Sequence, residues 1–331
     1  MKKLLALALA ATMALSLAAC GGATEEPAAP SEPATEAPAA ETYKVGICQL
    51  APHPALDAAT QGFIDALNEA LPGQVEFDNQ NAAGESATCA TIVNVFVSAD
   101  VDLIMANATP ALQAAVAATS DIPVLGTSVT EYGVALGIDN FSGTVGTNVS
   151  GTSDLAPLDE QAAMVKEWFP EAKTVGLLYC SAEANSQYQV DTVQAELEKL
   201  GLTCTQYPFS DTNDMASVTQ SAVDNSDVVY VPTDNTCANN AGIIDNIARP
   251  AGVPIIAGEE GICGGCGVAT LSISYYDLGV ATGKMAAKIL TGEADIAEMP
   301  IEYAPQFTKK YNETICTDLG LTVPEGYEAI A

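Results

Sequence analysis

The chain has 331 residues and carries 42 Asp and Glu against 11 Lys and Arg, a net charge of −31. That balance argues against a nucleic-acid binder, which needs a basic face, and against adsorption to anionic lipid. The length suits about two domains of ~150 residues each, and 48% hydrophobic residues are ample for two cores.

Lys2 and Lys3 precede an apolar run over 4–17 that is too short and wrongly flanked to span a bilayer. The run ends in Leu17-Ala18-Ala19-Cys20, which looks like a bacterial lipobox, the Cys becoming the lipidated first residue after cleavage. The alternative is an ordinary signal peptide in which Cys20 is incidental. Residues 1–19 are therefore expected to be a lipoprotein signal peptide. Residues 20–42 follow as a lipidated Cys and a disordered Ala/Pro/Glu tether without Lys or Arg, too poor in apolar bulk to fold.

From 43 onward apolar strands alternate with helical periodicities. A strand at 44–48 runs into a proline-stiffened loop and a helix over 56–70, where Leu56, Ala59, Phe63, Ala66, Leu67 and Ala70 share one face. Strands follow at 74–79, 102–107 and 123–126, with helices at 87–98 and 111–119 between them. The alternation predicts a parallel sheet with helices on both faces. A short strand is expected at 134–139, and a polar crossover between lobes at the end of 140–154. A second lobe repeats the scheme: helices at 159–169, 181–200, 214–225 and 237–247, and strands at 174–179, 203–209, 228–231, 254–258 and 267–274. A helix at 276–290 is assigned back to the first lobe, and strand pieces at 300–304 and 308–316 to the second. The fold class is α/β: two doubly wound parallel-sheet lobes joined by three crossovers. Lobe 1 is 43–154 plus 275–296, and lobe 2 is 155–274 plus 297–331.

In such sheets ligands bind outside the carboxyl ends of the strands. Asp227 to Thr236 shows the construction most clearly: four buried-type residues, Val228 to Val231, then Pro232, which ends the ladder, then Thr233, Asp234, Asn235 and Thr236. Asp234 is read as the acid that accepts a ligand ammonium, or else as the N-cap of the next helix; Glu259 and Glu260 are the other candidates. His53, the single histidine, either donates to a ligand carboxylate or ends a rigid turn. Gln49, Thr109, Thr127, Ser128, Ser181, Glu183, Asn185 and Ser186 are further strand-end or helix-start polar groups, each able to contact ligand or to cap. Tyr132, Tyr188 and Tyr275 offer stacking surfaces or ordinary packing.

Besides Cys20 there are Cys48, Cys89, Cys180, Cys204, Cys237, Cys263, Cys266 and Cys316. Most are expected to be free and buried. Cys263 and Cys266 stand as a CxxC that would suit a local disulfide or half a metal site. No Gly-x-Ser-x-Gly elbow, Walker loop or His pair at metal spacing occurs, so no catalytic residue, metal or cofactor is assigned.

Five blocks in order carry a resemblance: Val45 to Ala66 with its His53-Pro54-Ala55-Leu56-Asp57, Asn148 to Asp154, Ser181 to Ser186, Val231 to Thr236, and Tyr275 to Gly279. Together they resemble the ABC-transporter solute-binding lipoproteins of the aromatic amino acid (tryptophan/tyrosine) type, over about 43–325. The resemblance implies a type I periplasmic-binding fold, an amino acid ligand captured by hinge closure, and permease and ATPase partners. It also implies a monomer lipid-anchored on the extracytoplasmic face of the cell membrane. Two departures bear on the ligand: Glu131-Tyr132 stands where that family usually has Asp-Pro, and Gly258-Glu259-Glu260-Gly261 where it usually has Ser-Asp-Glu-Gly. The alternatives are a ligand-sensing lipoprotein of the same fold that signals to a receptor, and a redox or metal-handling lipoprotein that uses its cysteines.

Overall fold

The computed structural model describes residues 42–304 and 306–330. The expected signal peptide, Cys20 and nearly all of the tether lie outside them. The first run of elements is β1 (Tyr43–Gln49), α1 (Pro54–Ala70), β2 (Val75–Asn81), α2 (Ser86–Ser98), β3 (Leu103–Asn107), α3 (Thr109–Ala118), β4 (Val124–Val129), α4 (Tyr132–Leu136) and β5 (Val149–Ser153). The second is α5 (Leu158–Trp168), β6 (Thr174–Cys180), α6 (Ala184–Lys199), β7 (Thr203–Phe209), α7 (Thr212–Asp224), β8 (Val228–Val231), α8 (Asn235–Asn239), α9 (Ala241–Ala251), β9 (Ile255–Ala257), α10 (Glu260–Cys266) and β10 (Ala269–Ser272). Then come α11 (Tyr275–Leu290), β11 (Glu302–Tyr303), β12 (Thr308–Tyr311), α12 (Glu313–Asp318) and β13 (Glu328–Ala329).

Two sheets result. The first runs β11-β5-β4-β3-β1-β2 and the second β13-β12-β10-β9-β8-β6-β7. All pairings are parallel except that of β10 with β12. In both, the strand order reverses beside the lobe's first strand, at β1/β3 and β6/β8, the switch point where α/β sheets bind ligands. Each central strand feeds two cores, because successive side chains point to opposite faces. Along β3, Leu103 and Met105 face the layer of α1 and α11 while Ile104 and Ala106 face the layer of α2 and α3. Along β8, Val228 and Tyr230 divide in the same way from Val229 and Val231.

Helices α1 and α11 approach backbone to backbone. A Cβ on Gly279 would lie 2.0 Å from the Ala59 carbonyl oxygen, and one on Gly62 would lie 2.1 Å from that of Tyr276. The helix expected at 276–290 therefore packs on the first sheet. Three connections join the lobes: 154–157, 273–274, and the stretch from Tyr303 to Thr308.

Several expectations are corrected. The segment 134–139 is no strand: Glu131 accepts hydrogen bonds from the Gly133 and Val134 N–H groups and starts the short α4 instead. Residues 149–153, expected within a polar crossover, form fully buried β5. Its small polar side chains are satisfied internally, Thr152 bridging Thr127 and Thr282 through hydroxyl contacts of 3.1 and 2.9 Å. Glu302 and Tyr303 pair with β5 in the first sheet, so the return to the second lobe comes after Tyr303, not at 297. The helix expected over 237–247 is divided at Asn240 into α8 and α9, and 260–266 forms α10, which glycine-rich composition concealed. Among the described residues no helix is long and apolar enough to cross a membrane.

Candidate functional site

The carboxyl ends of both sheets face one cleft, and the lobes touch across it where His53 Nε2 lies 3.4 Å from Asn235 Oδ1. Between them is a small cavity lined by His53, Leu56, Ser128, Thr130 and Asp154 on one side, by Asn185, Thr233, Asp234, Asn235, Ala238 and Glu259 on the other, and by Tyr275 from the connection. Its free volume is about 10 Å³, room for roughly one water-sized group.

Four of those residues present a buried polar atom without a partner: His53 Nδ1, Ser128 Oγ, Asp154 Oδ1 and Asn185 Oδ1. Leaving such atoms unpaired costs about 1–3 kcal/mol each, so their convergence marks a place for a polar ligand. Chain geometry aims them. Ser128 has φ +53° at an irregularity in β4, a strained backbone of the kind found at functional positions. Asp154 follows directly on β5, and its other oxygen accepts from the Tyr275 hydroxyl at 3.0 Å. Asn185 donates through Nδ2 to the Thr233 carbonyl at 3.1 Å, which turns Oδ1 into the cavity. Asn235 donates to Glu183 Oε2 at 2.7 Å, so its Oδ1 faces His53. A neutral His53 then donates from Nε2 and leaves Nδ1 as an acceptor; burial pushes this imidazole below its ordinary range, which favours the neutral form.

Burial also raises the acids. Asp154 is pushed up to about 6, the hydrogen bond from Tyr275 pulling against that. Asp234 is pushed up to about 7 by burial and by the Glu183 charge beside it. Glu259 is pushed up to about 7 by burial, against the hydrogen bonds it accepts.

Of the residues singled out in the sequence, His53, Ser128, Asn185, Asp234, Asn235, Glu259 and Tyr275 line this cavity. Asp234 is nevertheless engaged: Oδ2 accepts from Cys180 N at 2.7 Å and Oδ1 from Cys237 N at 2.8 Å. Glu259 caps α10 through the Gly261 and Ile262 N–H groups. Glu183 is buried behind the site, accepting from Asn235 N, Thr236 N and the Thr236 hydroxyl. Gln49 orders the loop into α1, donating to Ala51 O and Asp57 and accepting from Thr60. Thr127 belongs to the internal hydroxyl chain, and Thr109 is buried at the start of α3 away from the cavity. Ser181 bonds the Phe209 carbonyl at 3.1 Å, and Ser186 is buried behind Asp234. Glu260 pairs with Lys310 at 2.6 Å in a neighbouring chamber.

The Glu131-Tyr132 departure does not line this cavity. Glu131 caps α4, and Tyr132 is buried, its hydroxyl on the Thr152 carbonyl at 3.1 Å and its ring stacked on Phe141. Asp154 was missed as a site residue. Its signal was available, a carboxylate at the end of a five-residue block of small residues, but only the unrecognised strand β5 places it at a carboxyl end. The eight cysteines of the described residues are free, and burial holds the Cys263 and Cys266 thiols well above their usual range. Among the described residues no three His, Cys, Asp or Glu side chains gather as metal ligands.

The family model for ABC transporter substrate binding proteins matches residues 44–331. The chain belongs to that family. This substrate-binding protein is 36% identical over 260 residues to the tyrosine-binding protein of Clostridioides difficile (strain R20291), an alignment covering 78% of this chain and 75% of the relative. It superposes with a TM-score of 0.83 on an ABC domain from Streptococcus pneumoniae in complex with L-Trp, at 33% identity and covering 88% of this chain and 100% of that one. Against the ligand-free, open structure of CD0873 from Clostridium difficile the TM-score is 0.67, at 37% identity and coverage of 87% and 99%. In this structure the substrate-binding protein's lobes meet at the His53–Asn235 contact over a narrow cavity.

Proposed function

We propose that this protein captures a single amino acid, aromatic in its side chain, between its lobes and delivers it to an ABC importer. The observation that carries the reading is the set of orphaned acceptors around one water-sized space: His53 Nδ1, Asp154 Oδ1 and Asn185 Oδ1. An ammonium group has three N–H donors and is the size of a water. The carboxylate of the same zwitterion meets the Ser128 hydroxyl and the start of α1, which has no side-chain cap, a helix end that favours anions. The two relatives named for tyrosine and L-Trp support an aromatic side chain. Asp154 thus takes the ammonium role first considered for Asp234. The three connections act as the hinge, and the protein is a monomeric carrier with no catalytic step.

Its partners are a membrane permease and an ATPase, and its place is the extracytoplasmic face, held by a lipid on Cys20 at the end of the tether. Isothermal titration with L-tyrosine, L-tryptophan, L-phenylalanine and L-leucine tests the ligand: binding of at least one aromatic amino acid is expected, and binding of none overturns the reading. Cys20→Ser tests the anchor, since the variant should leave the membrane fraction.

A further inference from the structure

Glu183 is buried outside the lining of the small cavity, yet it stands behind two of the amides that face it. Its carboxylate is surrounded by donors. Oε1 accepts from Thr236 N at 2.9 Å and from the Thr236 hydroxyl at 2.8 Å. Oε2 accepts from Asn235 N at 3.1 Å, Asn235 Nδ2 at 2.7 Å and Asn185 Nδ2 at 3.3 Å. The two backbone N–H groups can only donate, so each carboxylate oxygen is fixed as an acceptor. An amide oxygen turned toward either of them would be repelled. The Asn235 amide therefore has one orientation, with Nδ2 toward Glu183 and Oδ1 toward the other lobe.

That oxygen meets His53 Nε2 at 3.4 Å. In a neutral imidazole the partner of one nitrogen decides which nitrogen carries the proton. An acceptor at Nε2 calls for N–H there and leaves Nδ1 a bare lone pair. Nδ1 has no protein partner and shares the cavity with Asp154 Oδ1 and Asn185 Oδ1. Without Asn235 the proton would favour Nδ1, where those two acceptors stand. A ligand ammonium would then meet an N–H in place of a lone pair. We propose that Glu183 is a positioning residue for the ligand's ammonium: through Asn235 it holds the His53 proton on Nε2 and so keeps Nδ1 an acceptor. His53 belongs to the loop after β1, and Asn235 opens α8 after β8. The chain of bonds thus crosses between the lobes, and the acceptor is prepared only where they meet. This rests on the amino acid reading above and deepens it.

His53 is the single histidine, so the full chain labelled with nitrogen-isotope histidine gives one pair of imidazole nitrogen signals. Their NMR shifts show which nitrogen carries the proton. Spectra are taken without ligand at about pH 8, where an ordinary imidazole is neutral. Affinity for L-tyrosine, L-tryptophan and L-phenylalanine is titrated on the same preparations, with melting temperatures as a check on folding. Glu183→Ala breaks the chain of bonds at its start and Asn235→Leu at its middle, so each covers for the other if one fails to fold. Asp227→Ala is the control for stability alone: it removes the acceptor of Lys173 N and Thr174 N, at 2.8 and 2.9 Å, at the amino end of β6. The parent should carry the proton on Nε2. Folded Glu183→Ala and Asn235→Leu should move it toward Nδ1 and bind whichever amino acid the parent binds about ten- to a hundred-fold more weakly. Asp227→Ala should melt lower with parental nitrogen signals and affinity. A parent proton on Nδ1 overturns the proposal, as do folded Glu183→Ala and Asn235→Leu proteins in which either the proton position or the affinity stays parental. Equal changes in Asp227→Ala overturn it as well. A parent that binds none of the three amino acids overturns the underlying reading and this proposal with it, whereas a binding parent with insensitive variants overturns this proposal alone.

Discussion

The Tyr275 hydroxyl donates to Asp154 Oδ2 at 3.0 Å, and the two residues come from different connections between the lobes. Asp154 follows β5 and Tyr275 opens α11, so the bond ties two hinge strands together at the floor of the cleft. It also leaves Asp154 Oδ1 turned into the cavity with no protein partner. The residue proposed to hold the ligand is thus the residue that braces the hinge. On that proposal, ligand contact and lobe position are coupled through one carboxylate.

Asp154→Asn should therefore weaken ligand strongly. It keeps an oxygen for the cavity but removes the charge, and charge-assisted hydrogen bonds are worth about 1.5–3 kcal/mol. Affinity for L-tyrosine or L-tryptophan, whichever binds the parent, should fall about ten- to a hundred-fold. The parent's affinity should also fall as pH drops below about 6, where Asp154 takes up its proton, and His53 protonation at low pH removes a second acceptor. Titration calorimetry from pH 5 to 8 reads both effects. An Asp154→Asn protein with parental affinity at pH 7.5 would exclude this carboxylate as the ammonium seat.

Asp234 should behave in the opposite way. Both of its oxygens accept backbone N–H groups, at 2.7 and 2.8 Å, from two different segments. Asp234→Asn presents an NH₂ group to one of those donors, leaving it unsatisfied at a cost of about 1–3 kcal/mol. The expected outcome is a lower melting temperature without ligand and affinity within about threefold of the parent in whatever fraction folds. A melting curve and a titration on the same preparation decide it. Unchanged melting with a large affinity loss would return the ammonium role to Asp234.

The contrast between these two acids shows what the sequence could and could not convey. Apolar strands such as Val228–Val231 and the periodic face of Leu56, Phe63 and Leu67 are direct consequences of burial, so two α/β lobes were legible. So were the strand ends, and with them His53, Ser128, Asn185, Asn235, Glu259 and Tyr275 as lining residues. Strand β5 was not, because Val149 to Ser153 is made of small and hydroxylated residues whose burial depends on Thr152 finding Thr127 and Thr282. That pairing spans 130 residues of sequence. Whether an acid caps a helix or faces a ligand is equally non-local: Asp234 is consumed by Cys180 N, from a strand 54 positions earlier. The places of Glu131 and Tyr132 were hidden for the same reason, since the cap and the ring's destination beneath Phe141 are tertiary facts.

Gly279 offers a test of the fold itself. An added Cβ would meet the Ala59 carbonyl oxygen at 2.0 Å, a backbone atom that cannot rotate away. Gly279→Ala must separate α1 from α11, and overpacking of this kind costs about 1–3 kcal/mol or more. Because α1 carries His53 at its N-terminus, the displacement should reach the cleft. Denaturant unfolding should show lower stability, and affinity should fall as well. Parental stability in Gly279→Ala would mean that the two helices do not pack this closely.

The last expectation concerns pH and stability without ligand. Asp154, Asp234 and Glu259 are pushed up to about 6, 7 and 7 from ordinary values of 3.8, 3.8 and 4.5. Between about pH 4 and 7 the folded chain therefore holds protons at these sites that the unfolded chain has released. Stability falls with rising pH wherever the folded state binds more protons, so the contribution of all three is present below pH 4 and lost as pH climbs through 6 to 7. His53 acts the other way, since its lowered value means the unfolded chain takes up that proton first as pH drops below 6.5. Three groups against one give a net gain on acidification, so the melting temperature should rise between pH 8 and about pH 5. Glu259→Gln removes one of the three and should flatten the rise while costing some stability at every pH, because Gln offers only one oxygen to the Gly261 and Ile262 N–H groups. Differential scanning calorimetry across that range checks both. A melting temperature that falls steadily from pH 8 to 5 in the parent would show that these carboxylates stay ionised in the folded cleft.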